Sequence, residues 1–187
     1  MRTFWFIVLL MGCEAKTDDS VSDSGRIIDT RTDTAESETT LLPEGFENGL
    51  TDIMACTDTF FGASNPEKTV ALTVLWYGLL QAAIDEGPQD RTVEIEEGLA
   101  VVELSIGEKV SVNWCTDALE VVPDPIRLRG VSGEMRVQAS TRGSSAADGG
   151  SGSVRLTDLL LVSDTGEELR IEEFEMGPVD IFGGWGG

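Results

Sequence analysis

The chain has 187 residues, with 34 acidic against 13 basic side chains, a formal net charge of −21 and no histidine. The missing histidine excludes Ser-His-Asp and Cys-His nucleophilic sites, histidine-ligated zinc and the usual general base near neutral pH. The strong negative charge opposes phosphate backbones, so nucleic acid is not an expected partner.

In chain order the first signal is at the N-terminus. Met1-Arg2-Thr3 carries one positive charge, Phe4 to Met11 is an unbroken apolar run, and Gly12-Cys13 closes it. A charged start, a short apolar stretch and a small residue at the cut are the parts of a secretory signal. The run is too short to span a bilayer, which takes roughly 20 residues. Leu10, Met11, Gly12 and Cys13 resemble the lipobox of bacterial lipoproteins: Leu or a similar residue, a variable one, Gly or Ala, then the invariant Cys. The resemblance covers these first thirteen residues alone. It implies that residues 1–12 are a signal peptide, that the Cys13 thiol receives a diacylglyceryl group, and that Cys13 becomes the first mature residue. More than one acyl chain gives the membrane retention that a single chain supplies only marginally. In that family an Asp after the Cys often marks inner-membrane retention. Glu14 stands there instead, which leans towards the outer membrane, on its periplasmic or surface face. The rival reading is a cytosolic chain starting with a core strand that buries Cys13. It fits poorly, because the apolar run leads straight into a long acidic segment.

Residues 13–45 form the expected tether. Between Glu14 and Glu44 lie Asp18, Asp19, Asp23, Asp29, Asp33, Glu36 and Glu38, opposed by Lys16, Arg26 and Arg31, with scarcely a large apolar residue. Such a segment cannot bury enough surface to offset its ordering entropy and is expected to be disordered. About 30 residues of coil reach roughly 30 Å. The acids lack the D-x-D-x-D-G-x₅-E arrangement of a calcium loop.

Residues 46–187 read as a single β-rich domain. Alternation at period two marks Val70, Leu72, Val74 and Trp76; Val93 and Ile95; Ala100, Val102, Leu104 and Ile106; Val110, Val112 and Trp114; Ile126 and Leu128; Met135, Val137 and Ala139; Val154 and Leu156; and Leu169 and Ile171. Turns are expected at Ile106–Lys109, Val131–Gly133 and Asp164–Gly166. The one helical candidate is Tyr77 to Glu86, stopped by Gly87-Pro88; an extended crossover fits the same residues equally. About eight or nine short strands predict an all-β fold, an antiparallel β-sandwich or barrel, with at most one short helix. With Cys13 acylated, Cys56 and Cys115 remain. In an oxidising compartment they are expected to pair as a disulfide. A reactive thiol or metal pair has little to support it, with no histidine and no C-x-x-C.

Candidate chemistry is sparse. Glu94, Glu96, Glu97 and Glu103 are the densest acids of the domain. Two carboxylates can run a hydrolase, but Glu94 and Glu96 alternate with apolar neighbours and so belong to a solvated strand face. Asp148-Gly149-Gly150-Ser151-Gly152-Ser153 is similar to the G-G-x-G-x-D unit of calcium-binding β-rolls. It occurs once, and Ser153 replaces the family's Asp, so Gly143–Ser153 is expected to be a hairpin loop. Trp76 and Trp114 are expected in the core. Trp185, flanked by glycine pairs at the C-terminus, is expected to fold back onto the domain as a plug; left exposed, it is the candidate ligand contact.

These features predict a non-enzymatic, lipid-anchored envelope or surface protein that presents an acidic β-domain for binding or structure through loops at one end. Neither a cofactor nor a metal site is expected. The partner is the membrane through Cys13, with an unidentified protein or glycan. A second reading is a calcium-stabilised carbohydrate-binding or adhesive module, with clustered carboxylates and an exposed aromatic. A third is a small carboxylate-dependent hydrolase.

Overall fold

The computed structural model describes residues 41–56, 60–116 and 119–183. The expected signal peptide, Cys13, the tether up to residue 40, and Trp185 lie outside the described residues. The strands are β1 (Asp52–Cys56), β2 (Phe60–Ser64), β3 (Val70–Leu75), β4 (Gln89–Glu94), β5 (Val101–Ile106), β6 (Ile126–Thr141), β7 (Gly150–Ser163) and β8 (Glu168–Phe182). The helix is α1 (Leu79–Glu86). Its stop is the expected one, with Gly87 at φ 91° and a proline behind it. No helix among the described residues is long and apolar enough to cross a membrane.

Seven strands close on themselves in the order β6-β5-β3-β2-β1-β8-β7, with β7 returning to β6. The architecture is thus all-β, and of the two expected forms it is the barrel. One pairing departs from the antiparallel expectation: β1 and β8 run parallel where Ala55 faces Ile181 and Cys56 faces Phe182. The eighth strand, β4, pairs with residues 134–139 of β6, while β5 pairs with residues 126–129 of the same strand.

Period-two alternation fills the barrel. In register across β3, β5 and β6 stand Leu72, Leu104 and Leu128, each fully buried. One step along, Phe61, Val74 and Val102 repeat the row across β2, β3 and β5. Met135, Val137, Val154, Leu156, Leu161, Ile171 and Met176 complete the interior. Burying each such side chain stabilises the fold by about 1.5–3 kcal/mol. Leu79, Leu80 and Ala83 of α1 join this buried set, as does Trp76. The folded part also begins earlier than residue 46, since Leu42 is buried and Leu41 packs on the core.

Two segments differ from the expected pattern. Val131-Ser132-Gly133 is not a turn. It is an irregularity within β6, where the pairing to β7 shifts register on either side of Ser132. Core-facing positions change from Leu128 to Met135, Val137 and Ala139, and on β7 from Leu156 to Leu159 at Asp158, whose φ is 51°. Such a bulge bends a strand and strengthens its twist, which lets strands of 14 to 16 residues wrap a barrel. Gly133 sits there at φ 128°, and a Cβ would stand 2.9 Å from the Leu159 backbone, so only glycine fits.

The second difference lies between β5 and β6, in residues 107–116 and 119–125. Val110, Val112 and Trp114 were expected to form a strand, but they lie in consecutive turns, with Lys109 at φ 56° and Cys115 at φ 51°. The segment leaves β5 and re-enters β6 where Ile106 faces Ile126, so it is a loop with adjoining ends. It straps the outer wall. The buried Ser111 hydroxyl bonds the Ser64 hydroxyl at 3.1 Å, and Trp114 meets Phe60 edge-on with ring centroids 5.2 Å apart. Trp114 is half-buried outside the barrel rather than in its core. Its ring lies so close over β2 that a Cβ on Gly62 would be 2.6 Å from it. The strap is fastened where the Cys56 and Cys115 sulfurs stand 2.02 Å apart.

Candidate functional site

Among the described residues the barrel interior is filled with apolar side chains, so its open surfaces are the outer wall and the rims. Among the described residues, no group of three or more Cys, Asp or Glu side chains could hold a metal ion. Glu94 ends β4 and is exposed. Ile95–Glu97 is a 3-10 turn rather than a continuation of the strand, with Glu96 exposed. Glu103 is half-buried on the outer face of β5 and pairs with Arg127 at 3.4 Å. These acids therefore do not converge on an enclosed pocket.

The glycine-rich run also differs from expectation. The loop is shorter, with a 3-10 turn at Ala146–Asp148, and Gly150 already opens β7. Asp148 accepts a bond from the Ser145 backbone N–H at 3.0 Å, a local turn contact. Gly150 and Gly152 face inward and are buried, while Ser151 is exposed on the outer wall. A Cβ on Gly152 would stand 2.7 Å from the Gln138 carbonyl oxygen and 2.9 Å from Phe61. Strands β6 and β7 thus approach closely here, and the outward side chains of Ser140, Ser151 and Ser153 are short.

Those short side chains make a trough. Ser140 of β6 faces Ser151 of β7, which faces Asp180 of β8. In the next row Asp90 of β4 faces Gln138, which faces Ser153. Two adjoining grooves result, and Ser151 and Pro178 belong to both. One, of about 500 Å³, is lined by Ile53, Met54, Val179, Asp180 and Phe182. The other, of about 340 Å³, is lined by Pro88, Gln89, Asp90, Gln138 and Ser153 among others. Phe182 is 63% exposed at its end of the trough.

The polar groups of the trough form a network. Ser140 and Ser151 hydroxyls lie 2.9 Å apart. Ser153 donates to Gln138 Oε1 at 3.3 Å, and Gln138 Nε2 donates to Asp90 at 3.0 Å. Arg136 holds the Asp90 carboxylate through both oxygens, at 2.8 and 2.6 Å. Arg142 pairs with Asp180. Among the described residues, the charged side chains lining the grooves are Asp90 and Asp180, and each is thus met by an arginine.

The Arg136 hydrogen bond, seconded by Gln138, lowers the Asp90 pKa from 3.8 to about 2. A depressed carboxylate pKa favours the folded form above the unfolded value and loses that contribution as pH falls through the folded one. The β4–β6 tie is therefore expected to hold at pH 4 and loosen as pH falls towards 2. A side-chain carboxyl NMR titration should give a midpoint near 2 for Asp90. Arg136→Gln should raise it towards 3.8, and an unchanged midpoint would remove Arg136 as the cause.

The sequence did not point to the trough, because its residues are brought together only by the pairing of β4, β6, β7 and β8. The one local clue is Gly150-Ser151-Gly152-Ser153, in which every side chain is small. Comparison with known proteins finds no matching family model, no similar curated protein and no similar solved structure.

Proposed function

We propose that this chain is a non-catalytic, lipid-anchored protein of the cell envelope, in which Cys13 carries the anchor and the acidic barrel acts as a binding module through its outer wall. The observation that supports this reading best is the filled interior. With Leu72, Leu104, Leu128, Leu156 and Met176 fully buried inside, the barrel is a rigid scaffold rather than a container, and recognition falls to its surface. Its wall carries ion pairs such as Arg155–Glu173 and Arg127–Glu103. This is the inverse of the outward apolar band of a membrane-spanning barrel, which supports the reading that a lipid anchor, rather than the barrel wall, meets the membrane. The acidic excess suits solubility and opposes close approach to anionic surfaces, which the acidic segment after Cys13 would help to prevent.

Expression of the full chain with radiolabelled palmitate tests the anchor. The wild-type chain is expected to take up label and sediment with membranes. Cys13→Ser is expected to lose both label and sedimentation. A labelled, sedimenting Cys13→Ser chain would defeat this reading.

A further inference from the structure

We infer that the trough across β4, β6, β7 and β8 is a binding site for a neutral, polyhydroxylated chain, an extended oligosaccharide. This deepens the reading of the barrel as a binding module and rests on it.

Three observations select that ligand class. The first is charge: on a chain of net charge −21, the two carboxylates lining the trough, Asp90 and Asp180, are each neutralised by Arg136 or Arg142. A free anion meets no unpaired cation among the side chains lining the grooves, and a cation meets carboxylates already engaged. The second is the donor and acceptor set. Ser140, Ser151, Ser153 and Gln138 offer hydroxyls and an amide that both donate and accept, and sugar hydroxyls do the same. They can replace the present contacts, such as Ser140 to Ser151 at 2.9 Å, without stranding a polar group. The third is Phe182, an aromatic ring 63% exposed at one end of the trough, in the groove that also holds Ser151 and Asp180. A flat apolar ring beside polar groups matches a sugar, which has an apolar C–H face and a hydroxyl rim. Trough shape agrees, since two grooves joined at Ser151 and Pro178 suit an extended chain better than a compact ligand. A peptide added as a strand would need a free backbone edge. The stretch of β7 that carries Ser151 offers none, being paired to β6 at Ser140 and to β8 at Asp180, and the hydroxyls and amide named above all lie on β6 and β7.

The test is an NMR titration of the full chain with two neutral oligosaccharides, cellohexaose and maltohexaose, and with oligogalacturonate as the anionic control. Backbone amides of Ser140, Ser151, Ser153 and Phe182 are expected to shift with a neutral chain and to remain still with the anionic one. Phe182→Ala and Gln138→Ala, both on the exposed wall, are each expected to weaken binding about tenfold, with amides in the β3–β5 region unmoved. The inference is overturned if neither neutral chain moves the trough amides at about 10 mM, a range that detects even weak affinity. It is equally overturned if oligogalacturonate binds as well, or if both variants bind like the wild type. The anchor is read separately. Palmitate labelling at Cys13 with a silent trough would leave the envelope assignment standing and remove this ligand class, whereas a binding trough without label would do the reverse.

Discussion

Replacing Cys56 and Cys115 together by serine is expected to lower the unfolding free energy by about 4 kcal/mol, the chain-entropy value for a loop of this size. The two residues are 59 apart in sequence, with Cα atoms 5.7 Å apart in the fold. The bond therefore restricts a large part of the unfolded chain. It also holds the strap on the wall, where Trp114 covers Phe60 and Gly62. A domain of ordinary stability has about 5–15 kcal/mol in total, so the doubly substituted chain should unfold at a much lower urea concentration. The same fall is expected when the wild type is unfolded under a thiol reductant. A change below about 1 kcal/mol would mean that the bond adds little constraint, either because the unfolded chain is already compact or because the strap's contacts suffice.

Leu104→Ala is the second large effect, with an expected loss of about 4 kcal/mol, within the range for leucines truncated in well-packed cores. Leu104 is fully buried between Leu72 and Leu128, on three strands fixed by their ladders. The walls cannot collapse far into the vacated space, so most of the cavity cost remains. Val101, on the same strand, faces outward and is 46% exposed. Val101→Ala should change stability by no more than about 0.5 kcal/mol, as surface substitutions usually do. Urea unfolding of both variants measures the inside-outside phase of β5 directly. Equal losses would contradict the closed, filled barrel.

Much of this fold is legible in the sequence where alternation is uninterrupted. Leu72 and Val74, Val102 and Leu104, and Met135, Val137 and Ala139 all face the core as their spacing requires. The Gly87-Pro88 stop places the end of α1. The pairing of Cys56 with Cys115 is also the expected one.

Legibility fails where one local signal has two physical causes. Val131-Ser132-Gly133 breaks the alternation and contains glycine, which is what a turn does. A bulge does the same while the strand continues, and only the β7 pairing tells them apart. Val110, Val112 and Trp114 alternate as a strand would, but here they belong to successive turns, which meet β2 through Ser111 and Trp114. Gly150 and Gly152 suggest a loop by composition. Their reason is instead the closeness of β6, where a Cβ on Gly150 would stand 2.0 Å from the Ser140 carbonyl oxygen. The trough is the least legible feature. Asp90, Gln138, Ser151 and Phe182 lie far apart in the chain and have ordinary polar or apolar neighbours. Their meeting depends on strand order, which periodicity does not specify.

The most direct test of the envelope assignment is the intact mass of the full chain purified from the membranes of a lipoprotein-processing bacterium. The account predicts a polypeptide that begins at Cys13, lacks residues 1–12, and carries the added mass of a diacylglyceryl group on that residue. A mass matching an unmodified chain that still begins at Met1 would contradict it.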